Sequence, residues 1–371
     1  MEFNSCTNPT VGVEWELQLL NSKTLDLFDG ILPLMEFFPH TEFIKPEYIQ
    51  SCVELNSCIA NNSDMAINHI RESLIKVLDR CQMLEMSICG AGTHPFSKQL
   101  ALITPMPRYI HLEKSAGYLA QTQITFSTHV HVGMHSGDEA IRTMRNLIPA
   151  IPAFIALSAN SPFWRGHQTE HAAYRHRILA ASPSYGLPVT FRDWSDYNDF
   201  YNAAVKSGMI KSFKDIHWDI RLHPDFGTLE IRTMDAAPDL KTLLSLVSFA
   251  RSMAVSMARA KTEDVSRILP LNLPVWFQRE NCYRASHHGL NAEFIYNKQG
   301  DHRPLRGLVD ELIQFCEPFA KDIDEDKNLP MIRKILLDEP SYCRQLESYA
   351  EGKSTLAVVE NLTTQLLKSN N

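Results

Sequence analysis

The stretch Val11–Leu20, V-G-V-E-W-E-L-Q-L-L, alternates so strictly that an extended strand is the conformation it allows most readily. Successive side chains on a strand point to opposite faces. Val11, Val13, Trp15, Leu17 and Leu19 therefore share one side, and Gly12, Glu14, Glu16 and Gln18 the other. The design recurs at Thr228–Asp235, T-L-E-I-R-T-M-D, where Leu229 and Ile231 oppose Glu230 and Arg232. That acid and base stand about 7 Å apart along the strand. A third run, Thr125–Met134, sets His129 and His131 against Val130 and Val132, and a fourth places Glu54 between Val53 and Leu55. Any one of these polar faces could be a solvated surface with cross-strand ion pairs. Four in one chain predict a sheet with one face for a core and the other for charged chemistry.

Between these runs the apolar period changes to that of a helix. Asp64–Ile88 repeats Ile67, Ile70, Leu74, Val77, Cys81 and Leu84 behind a cap at Ser63 or Asp64, with Met83 and Met86 filling volume. Ile141–Ala159 is helical but interrupted by Pro149 and Pro152. Trp194–Lys206 reads as an amphipathic helix, Leu240–Ala260 as a central packing helix, and Leu305–Asp326 and Leu356–Lys368 as closing helices. Pro183–Pro188 marks a turn, and Trp218–Leu222 with Thr228–Met234 predicts a hairpin. Neither a repeat nor a break in composition divides the chain.

Composition excludes several classes. The net charge of −7 argues against a nucleic-acid or anionic-membrane surface. The eight cysteines include no C-x-x-C pair, so neither a zinc ribbon nor a thioredoxin-like redox site is indicated. The first residues show no basic region ahead of an apolar core, and no apolar run approaches the roughly 20 residues of a membrane span. The expectation is a reduced, cytoplasmic protein.

Other segments carry polar groups whose role the spacing leaves open. Glu47 follows Pro46 and precedes Glu54 by seven residues, so a bulged turn could bring both acids to one spot. Cys89–Phe96, C-G-A-G-T-H-P-F, lacks the third glycine of a phosphate loop and reads better as a tight turn delivering His94 near a site. Ser161–Gly186 is rich in Arg and His, able to meet phosphates or carboxylates or simply to be solvated. If Glu14, Glu16, Glu54 and Glu230 come from neighbouring strands, their charges collide. Two bare carboxylates 4 Å apart repel by about 4 kcal/mol at an effective dielectric near 20. Either some are protonated or divalent cations lie between them. Oxygen ligands with an imidazole suit Mg²⁺ or Mn²⁺, ions that commonly bridge to substrate phosphates. The residues alone thus point to metal-dependent phosphoryl transfer on a sheet.

The ordered motifs G-V-E-W-E, P-E-Y-I-Q-S-C-V-E, A-G-T-H-P-F, H-V-H-V-G, W-D-I-R, T-L-E-I-R-T-M-D and N-C-Y-R-A, lying within residues 10–295, resemble the type 2 glutamate–cysteine ligase group of bacterial carboxylate–amine ligases. These are relatives of glutamine synthetase in their catalytic domain. The resemblance implies an α+β fold, a curved antiparallel sheet of glutamine synthetase catalytic-domain type with helices packed on its outer face. One catalytic domain would span residues 1–371, with a helical C-terminal part from 300 to 371. It implies ATP and Mg²⁺, small amino-acid substrates, and a carboxylate (the glutamate γ-carboxyl) phosphorylated before an amine, such as that of cysteine, attacks it. By the same resemblance Glu14, Glu16, Glu47, Glu54, His129 and Glu230 are metal ligands, with His131 a neighbour able to meet substrate. Arg232 would meet the substrate or γ-phosphate, and Arg175, Arg221 and Arg284 would stabilise the transferred phosphate. Two positions depart from the pattern: Trp15 replaces a middle acid, and Ala173 replaces a serine two residues before Arg175. A metal-dependent phosphotransferase or ATP hydrolase, and a non-catalytic nucleotide- or amino-acid-binding relative, are the alternatives. A homodimer is only the common expectation for an enzyme of this kind.

Overall fold

The computed structural model describes residues 1–182, 184–337 and 340–368; Pro183, at the start of the expected turn, lies outside them. Seven strands make the main sheet: β1 (Val11–Asn21), β2 (Ile44–Pro46), β3 (Cys52–Asn56), β4 (Met86–Cys89), β5 (Ser127–Gly133), β6 (Ile220–His223) and β7 (Thr228–Asp235). Their order is β6-β7-β5-β1-β3-β2, with β4 on the far end of β1, every pairing is antiparallel, and the sheet does not close.

Register turns the alternation of separate strands into one polar face. Glu14 sits opposite His129 on β5 and Asn56 on β3, and Glu16 opposite Glu54. Glu230 sits opposite His131 on one side and Arg221 on the other. A bulge follows on β7, where the pairing passes from Ile231↔Val130 to Met234↔Thr128. The extra residue reverses the strand's parity. Without it Met234 would share the face of Glu230 and Arg232; with it Met234 enters the core.

Helices α1 (Ser63–Met83), α2 (Pro107–Ala116), α3 (Tyr174–Leu179), α4 (Leu240–Arg259), α5 (Val275–His288) and α6 (Thr355–Lys368) bear most on the argument. Val13, Trp15 and Leu17 of β1 share a core with Ile67, Ile70 and Leu74 of α1 and Leu246, Val247 and Ala250 of α4. Each fully buried side chain of this kind contributes about 1.5–3 kcal/mol. Trp15 faces away from Glu14 and Glu16 as its parity requires, and its indole N–H donates to the Ala237 carbonyl at 3.0 Å. Val358, Val359 and Leu362 of α6 pack with Leu20 and Cys89, which ties the C-terminal helix to the sheet.

Most expected elements are present, with two corrections around α1. Its cap is Asn62, whose side chain accepts from the Met65 N–H, while the Ser63 N–H and hydroxyl both donate to Glu325. The helix also stops at Met83, not Ile88. Glu85 takes a left-handed φ of 53°, and Met86–Cys89 then pair with β1 as β4. Met83 is consequently exposed and only Met86 is buried. A helical period cannot reveal such a stop when the strand beyond it is also apolar. All eight cysteines are free thiols, and no helix among the described residues is long and apolar enough to cross a membrane.

Candidate active site

The polar face of the sheet opens into a cavity of about 1110 Å³, lined by Glu14, Glu16, Glu47, Glu54, His129, Arg175, Arg221 and Arg232 among others. At the β7 end the charges are matched. Arg221 donates Nε–H and a terminal N–H to Glu230 Oε2 at 2.9 and 2.8 Å, and Arg232 pairs with Oε1. Burial opposes ionisation of Glu230, but Arg221 and Arg232 outweigh it and hold the carboxyl far below its usual range. Glu14 is handled by imidazoles: His129 Nδ1 lies 2.9 Å from Oε2 and His131 Nε2 3.4 Å from Oε1. Burial again opposes, and these two contacts prevail, keeping Glu14 well below the ordinary carboxylate value. Burial and Arg232 push His129 down to about 4; burial acts on His131 too, but Glu230 and Glu14 hold it above its ordinary value.

The β3 end is the opposite case. Glu16 accepts one backbone N–H, from Ser127 at 2.6 Å, and Glu54 one side-chain N–H, from Asn56 at 2.7 Å. Burial, then Glu47, raises Glu16 to about 7; burial, then Glu14 and Glu47, raises Glu54 well above its ordinary value. Glu47 reaches this group from the bend after Pro46, where it accepts from the Tyr48 N–H at 2.8 Å and the Tyr109 hydroxyl of α2 at 3.4 Å.

The donor set fits divalent cations on two observations. Glu14, His131 and Glu230 each present a ligand atom within 4.8 Å of the others, and the buried His131 Nε2 makes no hydrogen bond. Glu16 and Glu54 meet Glu47 at the β3 end with one donor each and are both raised, which is the electrostatic condition a cation relieves.

Residues 10–360 match the model of glutamate–cysteine ligase family 2. The chain belongs to that family. A protein named "Putative glutamate--cysteine ligase 2" from Trichormus variabilis is 40% identical over 366 residues, which cover 99% of this chain and 95% of that protein. Two solved structures share the fold at low identity. The glutamate–cysteine ligase of Francisella tularensis, in complex with AMP, superposes with a TM-score of 0.67 at 12% identity, over 98% of this chain and 90% of that one. A bifunctional glutathione synthetase from Pasteurella multocida gives 0.70 at 15%, over 98% of this chain and 52% of that one. Membership makes the glutamate–cysteine ligase family 2 chain a carboxylate–amine ligase.

Within this ligase most expected site residues meet. Arg175, buried on α3, crosses to β7 and donates to the carbonyls of Thr233 and Arg232 at 3.3 and 3.4 Å. Ala173 leaves that reach untouched. His131 joins Glu14 and Glu230 in the three-atom group, while the expected ligand His129 turns Nδ1 to Glu14 and stands 3.9 Å from Glu230. Arg284 is not among the residues lining the cavity: on α5 it pairs with Glu280 at 2.9 Å, one helical turn away. His94 is structural as well. Its Nε2–H donates to the Leu25 carbonyl at 2.9 Å, and Nδ1 accepts from the Ser97 N–H. The glycines before it serve close packing, since a Cβ on Gly92 would lie 2.5 Å from the Asp235 carboxyl carbon.

Sequence reasoning missed several lining residues, among them Tyr109, Tyr185, Lys214, His217 and Asp219. They come from α2, from a 3-10 turn and from two-residue strands that pair Tyr185 with His217, elements too short for a period to mark a side chain as inward. One signal was the W-D-I-R motif, in which Asp219 lies within the expected strand Trp218–Leu222.

Proposed function

We propose that this chain is an ATP- and Mg²⁺-dependent ligase that joins the γ-carboxylate of glutamate to an amine, residues 1–371 acting as one catalytic unit. The observation that carries the reading is one cavity with uncompensated carboxylates at one end and arginines at the other, on the sheet of this ligase family. Glu16, Glu47 and Glu54 would hold one group of cations, and Glu14, Glu230 and an imidazole another. Bound Mg²⁺ would neutralise phosphate charge as it shifts during transfer.

The chain's own groups define the rest. Arg232 and Arg175 face the cavity and are suited to bind the γ-phosphate; Arg221, fixed by Glu230, positions that acid and its neighbour Arg232. A carboxylate oxygen of glutamate attacks the γ-phosphorus, the bond to the β–γ bridging oxygen breaks, and ADP leaves. The amine nitrogen then attacks the acyl carbon, the C–O bond to phosphate breaks, and the nitrogen loses a proton as the amide forms. Forked guanidiniums placed before the reaction stabilise the equatorial oxygens at little reorganisation cost. Small amino acids are the partners this cavity suits.

The test is ADP release from ATP and Mg²⁺ with glutamate, with and without a panel of amines that includes cysteine. Release that needs both glutamate and one amine supports the reading and names the acceptor. Release without any amine would replace it with a phosphotransferase or hydrolase, and no release from a folded, Mg²⁺-loaded sample would leave a binding role.

A further inference from the structure

A second cavity, of about 470 Å³, lies outside the catalytic one and is walled by Lys98, Trp164, Arg165, His167, Thr169 and Tyr174. Three of the six side chains can be cationic, two are aromatic, and none is acidic. Among the described residues neither Lys98 nor Arg165 pairs with a carboxylate.

The backbone at Arg165 is the decisive feature. Phe163–Trp164 and His167–Gln168 form a two-residue hairpin whose central pair, Arg165 and Gly166, has φ of 52° and 86°. Loops of this kind favour Asn or Asp before Gly, because a left-handed φ strains a longer side chain. Here a long cationic residue occupies the strained position. One guanidinium N–H donates to the Lys98 carbonyl at 2.8 Å, leaving the fork beside the cavity with donors to spare.

The geometry points to a second, non-catalytic binding site for a small molecule that carries a phosphate monoester on a flat ring. Arg165 and Lys98, with His167, take the phosphate oxygens; Trp164 and Tyr174 take the ring face. The site adjoins the catalytic one along the chain. Tyr174 walls this cavity, the next residue Arg175 lines the other, and the Arg175 N–H donates to Ser161 Oγ just before the hairpin. Occupancy would therefore bear on Arg175, and this coupling rests on the ligase reading.

Phenyl phosphate is the probe, titrated calorimetrically into the full chain beside inorganic phosphate. Saturable binding that is tighter for phenyl phosphate is expected. Arg165→Asn should weaken it by about tenfold or more while leaving Tm unchanged or higher, since Asn suits the left-handed position. Lys98→Ala, at an exposed side chain, should weaken it with no change in fold. Equal affinity in both variants, or no saturable binding to the wild type, overturns the site. Equal affinity for bare phosphate overturns the aromatic half of the assignment. In the ligase assay, phenyl phosphate should shift the KM for ATP in the wild type and not in Arg165→Asn; an unmoved KM with binding intact overturns the coupling alone.

Discussion

The two ends of the acid cluster are built from the same residue type and differ in everything around it. Glu230 and Glu14 are surrounded by arginine and histidine, which hold both carboxyls well below the ordinary carboxylate range. Glu16 and Glu54 face Glu47, have one hydrogen bond each, and resist ionisation. The β7 end is thus charge-matched by the fold itself, with His131 Nε2 left without a hydrogen bond beside Glu14 and Glu230. The β3 end is unfinished until something positive arrives. Preorganisation dominates one part of the sheet and the demand for a cation the other.

The strongest way to break this comparison is Glu230→Gln. It leaves Arg221 and Arg232 buried with a neutral partner, so turnover should fall by about a thousandfold or more, and stability by about 3–5 kcal/mol. ADP-release assays and denaturant melts check both. Full activity would remove Glu230 from the site, and an unchanged melt would show that the matched network does not hold the fold.

At the other end the sign reverses. Glu16 has a folded pKa raised from 4.5 to about 7 in the metal-free protein, so between those values the native state binds the extra proton and wild-type stability falls as pH rises. Glu16→Gln removes that loss. Relative to wild type, the metal-free variant should gain up to about 3 kcal/mol as pH rises through this window. Saturating Mg²⁺ should stabilise wild type above pH 7 by about 2.7 kcal/mol at 100 times Kd, and the variant less. Thermal melts across pH, with and without Mg²⁺, read this directly; parallel curves for the two proteins would erase the distinction between the ends.

The smallest effect is expected at Arg284→Ala. Its guanidinium is engaged by Glu280 on the exposed side of α5, and the loss of such a pair costs about 0.5 kcal/mol. Turnover should change by no more than about twofold. A loss of the size expected for Arg232 would return Arg284 to the site.

These cases also mark how far the sequence carries. Glu14, Glu16, Glu54 and Glu230 were legible because a period of two separates polar from apolar faces, and register then places the faces side by side. Which imidazole meets which acid was not legible, because His129 and His131 share a face and the register that sets Glu14 opposite His129 and Glu230 opposite His131 comes from pairing with strands distant in sequence. Arg284 resembled a site arginine by motif, yet an acid four residues earlier was available as its partner. The turn at Glu85 was hidden for a different reason: apolar residues on both sides of it satisfied a helical count. Tyr185, Lys214 and His217 arrive from two-residue strands and a 3-10 turn, whose positions are set by contacts distant in sequence.

The bulge on β7 acts as a reading-frame device in space. Ahead of it the strand spells charge toward the polar face; after it, with one letter inserted, the same alternation spells oil toward the core. Insertions and deletions are usually judged by whether a loop can absorb them. Here the sensitive site is mid-strand, and removal of one residue between Ile231 and Met234 would force a choice between sending Met234 into the cavity and sending Glu230 and Arg232 into the core. A change of length in a loop leaves this frame untouched, whereas the spacing from Glu230 to Met234 sets it.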